Sequence, residues 1–182
     1  MSATDKHISE QSTQTAGDMA NTVWHASMES CGSHDQADQS WLKEAGLLTA
    51  RLRARCGNRF NMRVLRDQPC TNTERLHREV MLCCDDQACI YAITDVPAAT
   101  LAAHRWLAEL GDDPLGETLQ TRADVSRSGF EYALLDGNSI PACDNPHKKV
   151  WARKSSFFLG TEALTGIEAF LDGLKHCTSE SR

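Results

Sequence analysis

The stretch Leu76-His77-Arg78-Glu79-Val80-Met81-Leu82 decides the fold, because it reads as a β-strand with a charge in the middle of an apolar face. Side chains of a strand alternate between its two faces, so Leu76, Arg78, Val80 and Leu82 share one side. A buried charge needs an opposite charge, dense hydrogen bonding or a ligand, because leaving it without a partner costs several kcal/mol. The pattern therefore predicts a sheet whose apolar face carries an arginine.

A second stretch, Leu164-Thr165-Gly166-Ile167-Glu168-Ala169-Phe170, has the same character with the opposite charge. Here Leu164, Glu168 and Phe170 share one side of the strand. Two hypotheses account for the two charges. Arg78 and Glu168 pair with each other inside the core, or they mark the two ends of a small pocket in an apolar wall. Such a pocket would suit a small anion that carries a hydroxyl or ether group.

Composition excludes several classes of function. The chain has 182 residues, of which 41% are hydrophobic, and this is enough for one domain with a real core. Its 19 Lys and Arg against 25 Asp and Glu give a net charge of −6, so we expect no nucleic-acid partner and no anionic membrane surface. The sequence has neither an apolar run of the ~20 residues that span a membrane nor a signal-peptide core. We therefore expect a cytoplasmic protein, without membrane insertion and monomeric.

The eight cysteines are interpreted as thiols, because a cytoplasmic protein rarely needs a disulfide framework. The densest group is Cys83-Cys84 followed by Cys89. Neighbouring strand residues point to opposite faces, so Cys83 and Cys84 are poorly placed to hold one ion. We therefore predict no metal site and interpret the cysteines as small buried hydrophobic residues.

The sequence divides into a tail and a domain. Residues 1–38 are rich in Ser, Thr, Gln, Asp and His, and their apolar residues follow no period, so we predict a disordered polar tail that folding and turnover do not need. The domain is predicted to span residues 39–178.

The domain is predicted to contain both helices and strands. The four-residue spacing of Leu48, Leu52 and Cys56 predicts a helix that ends at Gly57. Helices are also predicted from Pro97 to Gly111 and at Pro114. Six strand-like runs are predicted at 59–67, 76–82, 88–95, 126–135, 149–159 and 163–171. This order predicts an α+β single domain, with a six-stranded antiparallel sheet and helices covering a buried ligand site.

Six short motifs, in this order, resemble the chorismate lyase family: Leu47-Leu48-Thr49-Ala50-Arg51-Leu52, Arg63-Val64-Leu65-Arg66, His77-Arg78-Glu79-Val80, Asp113-Pro114-Leu115-Gly116, Trp151-Ala152-Arg153-Lys154-Ser155 and Glu168-Ala169-Phe170-Leu171. The resemblance extends from about Trp41 to Leu174. It implies a lyase that needs no cofactor and converts chorismate, the substrate, to the products 4-hydroxybenzoate and pyruvate at the start of bacterial ubiquinone synthesis.

The resemblance also implies roles for four residues. Arg78 matches the arginine that holds the ring carboxylate, and Leu48 and Leu115 match positions whose backbone N–H groups bind the same carboxylate. Glu168 matches the acid that meets the 4-hydroxyl. Independently of the resemblance, an arginine fork grips a carboxylate with two hydrogen bonds, and helix N-termini offer free N–H groups.

The sequence leaves the path of the proton open. Glu168 either donates a proton to the departing ether oxygen or only orients the 4-hydroxyl while the enolpyruvyl group takes the C4 hydrogen in a concerted step. For Arg153 we favour a surface position packed on Trp151 over contact with the second carboxylate of the substrate. His77 faces away from Arg78 and is not expected to act as a base.

Two non-catalytic alternatives stay open from the sequence. One is a small-aromatic-acid-binding effector domain of the same fold, of the kind fused to a DNA-binding domain in transcription regulators. The N-terminal 38 residues have neither the helical periodicity nor the basic charge of a DNA-binding domain. The other is a protein that binds 4-hydroxybenzoate without turnover, against which the presence of both Arg78 and Glu168 weighs.

Overall fold

A computed structural model describes residues 21–31, 39–69, 74–141, 143, 145 and 147–177. Within these residues, seven strands form one antiparallel sheet in the order β1-β2-β3-β7-β6-β4, and β5 also pairs with β6. The strands are β1 Phe60–Pro69, β2 Leu76–Cys84, β3 Gln87–Val96, β4 Val125–Arg127, β5 Glu131–Asp136, β6 Lys149–Leu159 and β7 Glu162–Phe170. The predicted α+β class and antiparallel sheet are confirmed.

The number of strands differs from the prediction, and one predicted run explains the difference. Residues 126–135 were expected to form a single strand, but Ser128-Gly129-Phe130 interrupts the run. The two pieces pair with the same strand, since β4 lies against the end of β6 and β5 against its beginning. Seven strands therefore fill six positions across the sheet.

Short helices cover one face of the sheet. They are α1 Gln39–Leu42, α2 Leu48–Cys56, α3 Ala98–Ala103, α4 Leu115–Gln120 and α5 Gly173–His176, with 3-10 turns at Glu29–Cys31, Gly57–Arg59, Arg105–Ala108 and Gly137–Ser139. The predicted helix at Leu48 is confirmed, and Gly57 ends it with a φ of 56°. The predicted helix after Pro97 is broken at His104, whose backbone is not helical, and continues as a 3-10 turn.

The two faces of the sheet contribute to different parts of the core. Leu82 and Phe170 pack under α1 and α2, and Leu76 and Leu164 pack under α3 and α4 on the same face. The opposite face is covered by the segment around Ile140. The helical face therefore contains the alternating positions that the sequence singled out, including those of Arg78 and Glu168.

Part of the predicted polar tail packs on the sheet. His25 and Tyr132 exchange backbone hydrogen bonds of 2.9 and 2.8 Å, and Met28 is 4% exposed inside the core. Met28 and Trp24 pack in or against the core clusters. The apolar residues of this segment follow no regular spacing, so the sequence pattern did not predict their packing. Residues of the segment 21–31 therefore contact the sheet, whereas residues 1–20 and 32–38 of the predicted tail lie outside the described residues.

The cysteines depart from the expectation of independent thiols. Cys56 at the end of α2 and Cys84 at the end of β2 are joined as a disulfide, while Cys83 points to the other face of the sheet. The opposite directions of Cys83 and Cys84 follow the prediction. The sequence did not predict that Cys56 and Cys177, which lie far from Cys84 and Cys89 in the chain, are close to them in the fold.

Candidate active site

A cavity of about 370 Å³ lies between the helical face of the sheet and the segments 45–49 and 114–122. Its walls are mostly apolar, and the side chains that supply this character are Leu47, Leu48, Met62, Val80, Leu82, Ala92, Leu115, Leu119, Phe157 and Ile167. The volume is in the range of pockets that hold a small molecule. Leu48, Arg78, Leu115 and Glu168, the four site residues predicted from the sequence, all line this cavity.

Arg78 and Glu168 stand at separate positions on the cavity floor. Arg78 pairs across the sheet with Thr94 of β3, and Glu168 of β7 pairs with Ala92 of the same strand. Thr94 in turn lies opposite Gly166. Because these intervening residues are small, the floor between the two charged groups leaves space for a ligand.

Arg78 is 2% exposed and is held by three protein acceptors. Its Nη1 forms an ion pair with the carboxylate of Asp67, and its Nη2 donates to the carbonyl oxygens of Gly111 at 2.8 Å and Asp113 at 3.0 Å. Three of the five N–H groups of a guanidinium are thereby used, which leaves two for a ligand. The hypothesis that Arg78 pairs with Glu168 is wrong, because each has a partner of its own.

The partner of Glu168 is Arg153, whose Nε lies 2.5 Å from Oε2 of the glutamate. Arg153 was expected at the surface but is 1% exposed, so that prediction is wrong. Its Nη1 donates to the carbonyl oxygens of Leu42 at 3.1 Å and Glu44 at 2.6 Å. Its guanidinium carbon also lies 4.1 Å from the centre of the Phe130 ring. These contacts fix the position of the Glu168 carboxylate at the cavity.

The beginnings of two helices meet at the rim of the cavity. Leu48 is the first residue of α2, and Leu115 is the first residue of α4. N–H groups in the first turn of a helix have no acceptor within that helix. The close approach depends on Gly116, where an added Cβ would lie 3.0 Å from Cδ2 of Leu47. A larger residue there would require the side chain of Leu47 to shift.

Two further arginines of the cavity were missed by the sequence analysis. Arg122 and Arg127 both line the cavity, and Nη2 of Arg127 donates to the carbonyl oxygen of Ala45 at 2.7 Å. Burial, and after it the neighbouring charge of Arg153, lowers the pKa of Arg127, whereas Glu168 acts in the opposite direction. In the sequence Arg127 stands between two serines, and that polar setting gave no sign of a half-buried position.

A second buried charge lies on the opposite face of the sheet, outside the cavity. Glu79 is 0% exposed, accepts a hydrogen bond of 2.6 Å from the hydroxyl of Tyr91, and has Nε2 of His77 at 3.1 Å from its Oε1. Burial, followed by the charge of Glu79, raises the pKa of Tyr91. His77 therefore faces away from Arg78, as predicted.

Within the described part of the chain, the group of side chains close enough to hold a metal ion is Cys56, Cys84 and Cys177, and none of them lines the cavity. The described part of the chain also contains no helix that is both long and apolar enough to cross a membrane.

An antiparallel sheet with an apolar cavity lined by both an arginine and a glutamate is suited to binding a small organic acid. The sequence model of the family described as chorismate lyase matches residues 19–176. The chain belongs to the chorismate lyase family and is an enzyme of the lyase class.

Three curated relatives agree with this assignment, and each is named probable chorismate pyruvate-lyase. The protein from Methylococcus capsulatus is 35% identical over 151 residues, covering 73% of this chain and 93% of the relative. That from Ralstonia nicotianae is 32% identical over 176 residues, covering 83% and 89%. That from Pseudoalteromonas translucida is 30% identical over 154 residues, covering 75% and 85%.

Proposed function

We propose that this protein eliminates pyruvate from chorismate to give 4-hydroxybenzoate, in the cytoplasm and as the first committed step of ubiquinone synthesis. The observation that carries the proposal is the cavity itself, in which Arg78 and Glu168 face the same apolar volume from two ends. Membership of the family and the names of the relatives support the same reaction.

The end of the cavity at Arg78 is suited to the ring carboxylate of the substrate. Charge-assisted hydrogen bonds from a guanidinium to a carboxylate are among the strongest polar contacts in proteins. In the proposal, the N–H groups of Leu48 and Leu115 complete the site, because first-turn N–H groups are available to an acceptor. Asp67 and the carbonyl groups around Asp113 keep the guanidinium in place, so little ordering is needed when the ligand binds.

A second cation is needed because chorismate also carries a carboxylate on its enolpyruvyl group. Arg153 is already engaged by Glu168 and by backbone carbonyl groups, so it is a positioning residue for Glu168. Arg127 lies on the cavity wall beside Glu168, where a neighbouring cation would hold this second carboxylate. We therefore assign the enolpyruvyl carboxylate to Arg127.

The end of the cavity at Glu168 is suited to the 4-hydroxyl group. As the ion-pair partner of Arg153, the glutamate offers carboxylate oxygens that accept a hydrogen bond. The bond between ring C3 and the ether oxygen breaks, the hydrogen at C4 leaves, and the enolpyruvyl group becomes pyruvate once its methylene carbon has gained a hydrogen. Aromatisation of the ring drives the elimination, so the enzyme's task is to align these bonds, and no cofactor is required in this scheme.

The reaction can be tested directly with the purified full-length chain and chorismate. We expect 4-hydroxybenzoate, measured by its absorbance, and pyruvate, measured through a coupled dehydrogenase, to accumulate in equal amounts. The Arg78→Ala variant, purified in the same way, controls for contaminating activity. Binding of 4-hydroxybenzoate without formation of either product from chorismate would contradict the proposal and favour the alternative, a non-catalytic domain that binds small aromatic acids.

A further inference from the structure

Four cysteine side chains converge at one place in the core, away from the ligand cavity. Cys56 ends α2, Cys84 ends β2, Cys89 lies on β3, and Cys177 follows α5. Their exposed fractions are 4%, 4%, 0% and 1%. The four residues come from three distant parts of the sequence, so local structure does not account for their meeting.

Three of the sulfur atoms are close enough to share one ion, and the fourth lies beside one of them. Those of Cys56, Cys84 and Cys177 all lie within 4.8 Å of one another, and the sulfur of Cys89 lies 3.2 Å from that of Cys177. In a zinc tetrathiolate the zinc–sulfur distance is about 2.3 Å, which places the sulfurs about 3.8 Å apart. Cys89 is not among the three sulfurs that lie within 4.8 Å of one another, so its side chain must turn toward Cys56 and Cys84 to complete a set of four ligands. Reduction of the disulfide between Cys56 and Cys84 frees the two remaining ligands.

The surroundings of the sulfurs favour a soft cation. Leu52, Leu82 and Leu174 belong to the same buried cluster, so the site is dry and closed. A thiolate in such a dry site needs a neighbouring positive charge, which a bound cation supplies. Tetrahedral sulfur ligation selects zinc over harder cations.

We propose that Cys56, Cys84, Cys89 and Cys177 of the reduced protein bind one zinc ion as a closed structural site. Binding replaces four thiol protons and changes no oxidation state. A molecule that carries the Cys56–Cys84 disulfide must first take up two electrons from a thiol or phosphine reductant, together with two protons from the thiol or, with the phosphine, from water. The ion ties the end of α2 and the turn after α5 to the hairpin of β2 and β3. Its role is stability, because none of the four cysteines lines the cavity.

Metal content of the full-length protein tests the site. The chain is reduced with a phosphine under anaerobic conditions, mixed with excess zinc and freed of unbound metal, and its zinc is measured by atomic absorption. We expect about one zinc per chain. Cobalt in place of zinc should give the intense sulfur-to-cobalt charge-transfer bands of thiolate ligation. A reduced, folded protein that retains less than about a tenth of an equivalent of zinc would overturn the proposal.

Single substitutions locate the ligands. Cys56→Ser and Cys177→Ser should each weaken zinc binding at least ten-fold, about the effect of losing one strong ligand contact. Cys83→Ser is the matched control, since Cys83 is also buried but faces the other side of the sheet near Arg63. Equal zinc contents of Cys177→Ser and Cys83→Ser would contradict the assignment. If a variant does not fold, the cobalt spectrum of the unmodified chain still decides.

The rival outcome is a pair of disulfides, Cys56–Cys84 and Cys89–Cys177. Alkylation of the phosphine-treated, zinc-loaded protein in denaturant and chelator, followed by mass spectrometry, distinguishes it. Cysteines of persisting disulfides would stay unmodified, whereas zinc-bound thiols, released by the chelator, would be alkylated. Persistence of both disulfides would overturn the zinc site. None of these measurements reads lyase activity, so failure of the zinc site and failure of the proposed function are distinguishable.

Discussion

Arg78 and Glu79 are neighbours on β2, and both are almost fully buried, yet they face different surroundings. Arg78 points into a cavity, and its guanidinium has two N–H groups beyond those used by Asp67 and the carbonyl groups. Glu79 points to the opposite face, where Tyr91 and His77 enclose it. Their burial is similar, but Arg78 borders an open cavity whereas Glu79 is surrounded by protein side chains.

The comparison shows when a buried charge indicates a site. A buried charge that is enclosed by protein partners belongs to a structural hydrogen-bond network. A buried charge that borders an open apolar cavity is available to a ligand. Substitutions on the cavity face are therefore expected to change kinetics, and those on the opposite face to change stability.

The largest effect is expected for Glu168→Gln at the far end of the cavity from Arg78. Glutamine keeps the size of the side chain but cannot ionise, so kcat should fall by about 10²–10⁴-fold if Glu168 takes part in proton transfer. Stability should also fall, because buried Arg153 loses its counter-charge. Steady-state kinetics, run where circular dichroism shows a folded protein, measures the loss. A loss near ten-fold would leave Glu168 with orientation alone, and unchanged kcat would contradict a catalytic role.

Arg78→Lys tests the near end of the cavity with the charge retained. Lysine cannot reproduce the fork that contacts Asp67, Gly111 and a ligand together. Loss of one charge-assisted hydrogen bond corresponds to about 1.5–3 kcal/mol, or roughly ten- to a hundred-fold weaker binding of 4-hydroxybenzoate by calorimetry. The control is Arg105→Lys, an exposed arginine outside the cavity. Tight product binding by Arg78→Lys would place the carboxylate elsewhere.

Tyr91→Phe tests the opposite face without changing side-chain size. It removes the hydrogen bond to buried Glu79, so the free energy of unfolding should fall by about 1.5–3 kcal/mol in denaturant titration, with kcat/KM unchanged. Because the pKa of Tyr91 is raised in the folded state, its contribution is complete below about pH 10, the ordinary tyrosine value, and declines above it. A large loss of kcat/KM at unchanged stability would break the division between the two faces.

The smallest effect is expected for Arg127→Gln, which separates substrate from product. The product lacks the enolpyruvyl group, so its affinity should stay the same while KM for chorismate rises about ten-fold, near the weaker end for a charge-assisted bond. Arg122→Gln is the matched comparison, since Arg122 lines the same cavity. If Arg122→Gln alone raised KM, the second carboxylate would belong to Arg122.

The sequence could predict which face of each strand carries a charge, because alternation needs no knowledge of neighbouring strands. It could not predict the partner of Arg78. In strict alternation Asp67 falls on the face of Arg63 and Leu65, but a bulge between Val64 and Arg66 shifts the register and brings Asp67 opposite Arg78. A bulge is a property of the pairing of two strands, and the sequence of one strand does not display it.

The burial of Arg153 is a second feature that the sequence could not predict. Its alternation placed it on the face of Trp151 and Ser155, which is the face that it occupies. Its burial depends on the backbone of residues 41–44, whose carbonyl groups lie over it. Those acceptors are main-chain atoms from a segment more than 100 residues away, and the identity of the side chains gives no sign of them.

Because Arg153 donates to Glu168 with one nitrogen and to the carbonyl oxygens of residues 41–44 with another, motion of this segment and orientation of the acid are thermodynamically linked. Residues 45–49 continue the segment and form part of the cavity wall. Any outward motion that admits substrate must therefore strain or release the contact that aims the Glu168 carboxylate. Conversely, we expect a bound molecule that fixes Glu168 to slow hydrogen exchange in the amides of this wall. The conformational equilibrium that opens the cavity is therefore the same one that orients the Glu168 carboxylate.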